Sequence, residues 1–169
     1  SLLVYEWSGP NDQAIIVPWT RVETNATIDT IIETLRQTTR RDATPGTALG
    51  VAMRLGQIHL AQQPTCWKHT LDISGDGKSN LGPRPRDVRD AIEASGITIN
   101  GLVIAEDLPA LSGKSNITIQ ELTAYYHIHV KHGPLAFLQT ALGFEDFERA
   151  MTLKLLKELE FQQLSLLYQ

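Results

Sequence analysis

The sequence predicts a three-layer α/β fold in which a mostly parallel, Rossmann-type sheet carries helices on both faces. Two observations lead to this prediction. Short apolar runs rich in β-branched residues alternate with stretches of helical periodicity, and turns containing glycine or proline separate them. The predicted order is β-β-α-α-β-α-β-α-β-α. The 169 residues suit one compact domain and contain no long linker, so we expect a single domain over 1–169.

The first part of the chain is predicted to form a hairpin followed by two helices. Both strands are short apolar runs, joined by a turn containing glycine, proline and asparagine. The strands are expected at 2–7 and 14–19, and the helices at 27–38 and 48–62. The first helix should bury one face, because its apolar residues recur at i, i+3, i+4 and i+7. That face consists of Ile28, Ile31, Ile32 and Leu35.

The rest of the chain is predicted to alternate strands and helices, with a polar loop at 111–116. Strands are expected at 68–73, 97–105 and 128–130, and helices at 83–95, 119–126 and from Pro134 to the end. Gly96 should follow the end of its helix. In the last helix, Lys154, Lys157 and Glu158 are expected to face outward, while the apolar stretch beyond Phe161 is expected to contact a partner or a second copy.

Composition and charge exclude several classes of function. The net charge of −4 lacks the basic excess that nucleic-acid binding uses, so no nucleic-acid partner is expected. Cys66 is the only cysteine, which rules out an intrachain disulfide and indicates a small buried apolar residue. No apolar run is long enough for a membrane span. The first ten residues do not have the pattern of a signal peptide.

Two short segments carry the strongest chemical signals. Asp76 lies between Gly75 and Gly77 in a loop after a predicted strand, where a carboxylate could bind Mg²⁺, Mn²⁺ or Ca²⁺. Thr47 places a hydroxyl at the entry to a predicted helix. Each has a plain structural alternative: Asp-Gly is common in turns, and Thr47 could be the N-cap of its helix. Asp72 is interpreted as a strand residue, and the alternative is that it reaches the site.

These segments resemble von Willebrand factor A domains. That family holds a divalent cation with an Asp-x-Ser-x-Ser loop, a threonine in a Gly-Thr segment and an aspartate in a Thr-Asp-Gly loop. Thr47 matches the threonine and Asp76 the aspartate, while Gly75 stands where the last motif has its threonine. The resemblance therefore implies that Thr47 and Asp76 are metal ligands and that Mg²⁺ or another divalent cation is the cofactor.

The resemblance is closer still to an uncharacterised bacterial branch of that superfamily and extends over nearly the whole chain. The segments that carry it are Glu6-Trp7-Ser8-Gly9, Val17-Pro18-Trp19-Thr20, Asp72 through Gly77 with Asn80, Gly96 through Leu102, Tyr125-Tyr126, and Phe147 through Leu155. The family's usual first strand and its Asp-x-Ser-x-Ser loop should precede Ser1, so we expect an N-terminally incomplete domain. A trimmed chain, a changed strand order or pairing with another chain would each account for this. Metal affinity is then expected to be weak or absent.

Other chemistries find less support in the sequence. His127 and His129 would share one face of the strand expected at 128–130, but no fourth ligand stands at a familiar spacing. Gly77-Lys78-Ser79 looks like the end of a phosphate-binding loop, yet Asp72 occupies the position of its first glycine. No serine, threonine or cysteine is paired with a recognisable base. The chain is therefore not expected to be an enzyme.

The favoured function is an adhesion- or scaffold-type module that binds a protein partner and retains a partial divalent-cation site. The alternative is an interaction protein that self-associates without metal, through a sheet edge or the C-terminal helix. A metal-assisted hydrolase is a third reading, for which no general base can be named. The family resemblance implies export, which would place the protein in the periplasm or outside the cell.

Overall fold

Two β-sheets and five helices make up the described part of the chain, which comprises residues 1–43, 45–105 and 118–167 of a computed structural model, with side chains described up to residue 160. The strands are β1 (Leu2–Trp7), β2 (Gln13–Thr20), β3 (Thr70–Gly75), β4 (Thr98–Ala105) and β5 (Leu138–Leu142). The helices are α1 (Asn25–Gln37), α2 (Leu49–Leu60), α3 (Pro85–Ala91), α4 (Ile119–His129) and α5 (Phe147–Leu167). The α/β architecture and the elements up to α4 agree with the prediction. The loop predicted at 111–116 lies outside the described residues.

The strands form two sheets rather than the one mostly parallel sheet expected from the sequence. β1 and β2 make an antiparallel hairpin, as predicted, whereas β3, β4 and β5 form a parallel sheet in that order. Within the described residues, β1 pairs with β2 alone and β3 pairs with β4 alone. One edge of β1 and one edge of β3 therefore lack a strand partner in this part of the chain.

Helix α2 joins the two sheets. The Tyr5 hydroxyl of β1 donates a hydrogen bond to the carbonyl of Ala52 in α2, at 2.8 Å. A Cβ placed on Gly56 would collide with the Leu71 side chain of β3 and lie 3.0 Å from the Tyr5 hydroxyl. Glycine at 56 thus lets one helix approach both strands closely. The unpaired edges of β1 and β3 consequently belong to strands that pack on the same helix.

One face of the parallel sheet carries an apolar core beneath α2, α3 and α4. Its largest fully buried side chains come from helices and strands alike. They include Leu49, Met53, Ile73, Ile99, Val103, Leu122 and Tyr126. Apolar residues at helical spacing in α2 and at alternate positions in β3 produce this core, as their periodicity predicts.

The opposite face, covered by α5, contains a buried charged group. Lys154 is 0% exposed and forms ion pairs with Asp72 of β3 and with Glu158, the latter at 2.6 Å. The Asn100 amide donates to the Asp72 and Glu158 carboxylates, at 3.3 and 3.2 Å. The prediction that Lys154 and Glu158 face outward is therefore wrong, because polar residues of the strands on this face need charged partners. Lys157 is exposed, as predicted.

Because Lys154 and Glu158 lie on the side of α5 that faces the sheet, several apolar side chains of α5 face the surface. Leu155, Leu156 and Leu159 are 46%, 52% and 55% exposed. In α1, Ile31 is buried, but the three other apolar residues expected on the same buried face are exposed: Ile28, Ile32 and Leu35. A helix buries an apolar stripe only where another element covers it, and among the described elements α1 packs chiefly on β2.

The segment after Thr118 differs most from the prediction. The strand expected at 128–130 is the end of α4 and the turn after it, because a Thr118–Glu121 capping box starts the helix and it continues to His129. The helix expected from Pro134 is replaced first by strand β5 and then by α5. The region 134–146 gains its strand through pairing with β4, a tertiary contact that local periodicity does not reveal.

Two smaller differences concern turns. The helix predicted at 83–95 consists of α3 followed by a 3₁₀ turn at Glu93–Ser95, and Gly96 ends it with a φ of 69°, which glycine adopts readily. Cys66, expected to be a small buried apolar residue, is half-buried after the end of α2.

Candidate functional site

The two segments singled out in the sequence meet at the carboxyl end of β3. Gly75 is the last residue of that strand, so Asp76 and Gly77 begin the loop that leaves the sheet. Thr47 lies just before α2, whose first residue is Leu49. Loops at the carboxyl ends of parallel strands are the usual place for ligands in α/β proteins. The structure thus brings the predicted residues to an edge suited to binding.

Hydrogen bonds hold the Thr47 segment against the loop that contains Asp76. The Thr47 N–H donates to the side-chain oxygen of Asn80 at 2.8 Å, and the Thr47 carbonyl accepts from the Asn80 N–H at 3.0 Å. The Ser79 hydroxyl donates to the same carbonyl at 3.1 Å. Asn80 and Ser79 therefore connect the two segments, a structural role that sequence reasoning did not assign to them.

The Thr47 hydroxyl lies beside Gly77. Its Oγ1 would be 3.4 Å from a Cβ built on Gly77, so the glycine leaves room at the contact between the segments. The alternative role of Thr47 as a helix N-cap is wrong. Ala48 is the N-cap of α2, and no side chain caps that end. The threonine is half-buried while Asp76 is exposed, so the pair forms an open site.

The two residues suit a hard cation in kind. Carboxylate and hydroxyl oxygens are ligands that Mg²⁺ and Ca²⁺ prefer. The described residues provide few such ligands, however. Among residues 1–43, 45–105 and 118–160, no group of three His, Cys, Asp or Glu side chains could hold a metal ion. Asp72 is a strand residue, as predicted. It lies within β3 and forms an ion pair with Lys154. A cation here would retain mostly water ligands.

Two adjacent tyrosines of α4 reach the same loop. The Tyr125 hydroxyl accepts a hydrogen bond from the Ser79 N–H at 3.3 Å, and burial raises its pKa. Tyr126 is 0% exposed, and its pKa is raised first by burial and then by the nearby Asp76 carboxylate. In the sequence these tyrosines support only the family resemblance, because a tyrosine on the core face of a helix looks like any other core residue.

The histidines do not converge. His127 and His129 belong to helix α4 rather than to a strand, so they point in directions about 200° apart instead of sharing a face. His127 lies 3.1 Å from the Lys131 ammonium. His129 packs on the Tyr125 ring at 4.7 Å, and burial lowers its pKa. This arrangement contradicts the expected shared strand face.

A groove of about 580 Å³ lies away from the predicted site, between α4 and β5. Its lining includes Ile119, Thr123, His127, Leu142 and Arg149. Neither Thr47 nor Asp76 lines it. This groove and the predicted binding residues are therefore separate features of the described surface.

The fold defines this protein as an α/β domain of the Rossmann-like, three-layer class, with its candidate site at the carboxyl edge of the sheet. Over residues 1–163 the chain matches a family described as "Protein of unknown function (DUF1194)", and it belongs to that family. No curated protein sequence matches it.

Among solved structures, the chain is similar to the crystal structure of an uncharacterized membrane spanning protein from Vibrio fischeri. The identity is 15%, the match covers 85% of this chain and 71% of that chain, and the TM-score is 0.37. In this chain, no helix among the described residues is both long and apolar enough to cross a membrane.

Proposed function

We propose that this protein is a von Willebrand factor A-like module that binds a protein partner at the carboxyl edge of its sheet. The observation that carries the proposal is the meeting of Thr47 with the Asp76 loop, held by hydrogen bonds between Thr47 and Asn80. These residues are far apart in the sequence, and the fold brings them together. Binding is favoured over catalysis because we identify no general base beside Asp76 among the described residues.

The strand arrangement supports the von Willebrand factor A-like part of the proposal. In that family, the strand ending in the Asp-x-Ser-x-Ser loop lies at the centre of the sheet. Here β1 and β3 pack on the same helix, but each has an unpaired edge within the described residues. A further strand between them would satisfy both sets of backbone groups and unite the two sheets. Its loop would emerge near Asp76, at the edge where Thr47 lies.

The cation part of the proposal follows from the ligand chemistry. A divalent cation held by the Asp76 carboxylate and the Thr47 hydroxyl keeps several coordination positions open. An acidic side chain of a protein partner can take one of them, so the cation would link the two proteins. With so few ligands from this chain, we expect an affinity for Mg²⁺ no better than the weak sites of extracellular modules.

Calorimetric titration of the 169-residue chain with Mg²⁺ tests this function. We expect weak binding that Asp76→Ala abolishes and Thr47→Val reduces, with the fold unchanged by circular dichroism. Asp29→Ala is the matched control, because Asp29 is an exposed aspartate on α1. Binding that survives Asp76→Ala, or that responds equally to Asp29→Ala, would remove the site assignment.

A second function, self-association without metal, is favoured by the exposed leucines of α5. Leu155, Leu156 and Leu159 form an apolar stripe on the side of the helix away from the sheet. A helix that is apolar on two sides usually has a second partner. The exposed Ile28, Ile32 and Leu35 of α1 add to the uncovered apolar surface.

Sedimentation velocity over a range of concentrations separates the two functions. Self-association through α5 predicts a dimer at high concentration that Leu155→Glu or Leu159→Glu dissociates, with or without chelator. Ile58→Glu is the control, because Ile58 is an exposed apolar residue on α2, 52% exposed and outside the stripe. A monomer at every concentration would argue against this second function.

A further inference from the structure

The charged group on the sheet face covered by α5 holds an amine against a carboxyl group away from bulk water. The Lys154 Nζ contacts a carboxylate oxygen of Asp72 in β3 and lies 2.6 Å from the Glu158 Oε1. The Lys154 side chain is 0% exposed, and the centre of the Phe137 ring lies 5.9 Å from its Nζ. Two groups that can condense to an amide are therefore held together by the fold, which favours reaction between them.

Asn100 of β4 fixes the two carboxyl groups of this cluster beside each other. Its amide nitrogen donates to Asp72 at 3.3 Å and to Glu158 at 3.2 Å. Its amide oxygen accepts from the backbone N–H of Phe137 at 3.1 Å, which sets the orientation of the amide. Burial and the Asp72 carboxylate raise the pKa of Glu158 to about 7, so Glu158 can bind and release a proton near neutral pH.

The cluster contains one carboxylate more than an ion pair needs. Burial makes separated charges costly and favours a neutral amine and a neutral acid over the ion pair. An amide between the lysine and one carboxyl group removes two charges from the interior. The second carboxyl group, which a simple ion pair does not require, is then available as a proton carrier.

We propose that Lys154 and Asp72 condense to an isopeptide bond after folding, with Glu158 as the catalytic residue that transfers protons. Glu158 accepts a proton from the Lys154 ammonium, and the neutral amine attacks Cγ of Asp72. The N–C bond forms as one C–O bond of the Asp72 carboxyl group breaks. The leaving oxygen takes one proton from Glu158 and one from the attacking nitrogen, so one water leaves and Glu158 regains its initial state. The Asp72 side chain is 32% exposed, which gives this water a path to solvent.

The bond ties α5 to β3 and closes a loop from residue 72 to residue 154. Strands β4 and β5 lie within that loop. Closing a long loop covalently stabilises a folded protein chiefly by restricting the unfolded chain. The inference does not depend on the cation or the partner of the proposed function, because none of its three residues belongs to the Thr47–Asp76 site.

Intact-mass spectrometry of the unaltered chain, purified in its folded form at neutral pH, tests the bond directly. We expect a mass lower than that of the sequence by one water molecule. A tryptic digest should contain peptide 69–78, which includes Asp72, joined to peptide 150–157, which includes Lys154. The full mass of the sequence, or a digest without the joined peptides, would overturn the proposal.

Variants separate this bond from a succinimide at Asp76-Gly77, which also loses one water. Lys154→Arg keeps the positive charge, but the guanidinium stays protonated and does not attack a carboxyl group. We expect Lys154→Arg and Glu158→Gln to have the full mass of their sequences, and Lys157→Arg, the matched control, to keep the loss of one water. A loss that persists in Lys154→Arg contradicts the bond, and joined peptides in Glu158→Gln contradict the role of Glu158. Circular dichroism checks that each variant folds, and the joined peptides of the unaltered chain decide the case where one does not.

Discussion

The two faces of the β3–β4–β5 sheet are held by different interactions. On the face beneath α2, α3 and α4, the fully buried side chains are almost all apolar, and the hydrophobic effect stabilises the packing. On the α5 face, a small apolar cluster around Leu102 and Ala150 adjoins the buried Lys154 with its two carboxylates. One face of the sheet therefore packs on an apolar core, and the other packs on a group that contains charged side chains.

Burial alone therefore does not predict how much stability a substitution on either face removes. Apolar contacts weaken gradually as atoms are removed, because the stabilisation follows the area buried and the cavity left behind. A buried ion pair contributes little net stability when intact, but breaking it leaves an uncompensated charge. The α5 face should therefore be the more sensitive to the loss of a single charge.

The largest effect is expected for Lys154→Met. This substitution leaves the carboxylates of Asp72 and Glu158 close together without their cation, and we expect a loss of about 3–5 kcal/mol in the free energy of unfolding. Urea denaturation at pH 8 measures it. Lys157→Met is the control: Lys157 is exposed and lies 4.2 Å from the Phe137 ring, so its loss should cost under about 1 kcal/mol. Equal losses would contradict the distinct role of Lys154.

The next largest effect is expected for Leu122→Ala on the apolar face. Leu122 is fully buried in α4, and its truncation should cost about 2–4 kcal/mol through lost burial and a cavity. Leu156→Ala on α5 removes the same atoms from an exposed position and should change stability by less than about 0.5 kcal/mol. The same urea experiment compares them. A costly Leu156→Ala would mean that the α5 stripe is covered in solution.

The smallest effect is a pH dependence confined to the α5 face. Burial, reinforced by the Asp72 carboxylate, raises the pKa of Glu158 from 4.5 to about 7. Between these values the folded protein binds a proton that the unfolded chain has released, so stability falls as pH rises from 4.5 to 7. The difference in unfolding free energy between pH 5 and pH 8 should be about 1 kcal/mol larger in the unaltered protein than in Glu158→Gln, because solvent screens this partly exposed carboxyl. An identical pH profile for the variant would show that Glu158 does not titrate in this range.

Sequence patterns predicted the first half of the fold well, because its elements have strong local signals. The hairpin of β1 and β2 has a polar turn between apolar runs, and α2 follows a turn containing Pro45 and Gly46. Strand β5 was missed because Leu138–Leu142 has little local strand character and is defined by its pairing with β4. Local patterns report propensity, whereas strand pairing depends on residues distant in the chain.

The candidate site was predicted in part. Thr47 and Asp76 were identified from their residue types and neighbouring glycines, and the structure brings their segments together. Binding of a cation and of a protein partner at this site remains a prediction. Tyr126 was not assigned a role, because a tyrosine on the core face of a helix looks like any other core residue until Gly75 and Gly101 are seen to make room for it.

The α/β class, the elements up to α4 and the two segments that carry hard oxygen ligands can be predicted from the sequence alone. These follow from periodicity, turn residues and side-chain chemistry, which act over a few neighbouring positions. Tertiary contacts decide which side of α5 faces the sheet and where the Tyr126 hydroxyl ends. Both depend on partners far along the chain: the carboxylate of Asp72 draws Lys154 inward, and the absence of a side chain at Gly75 admits Tyr126.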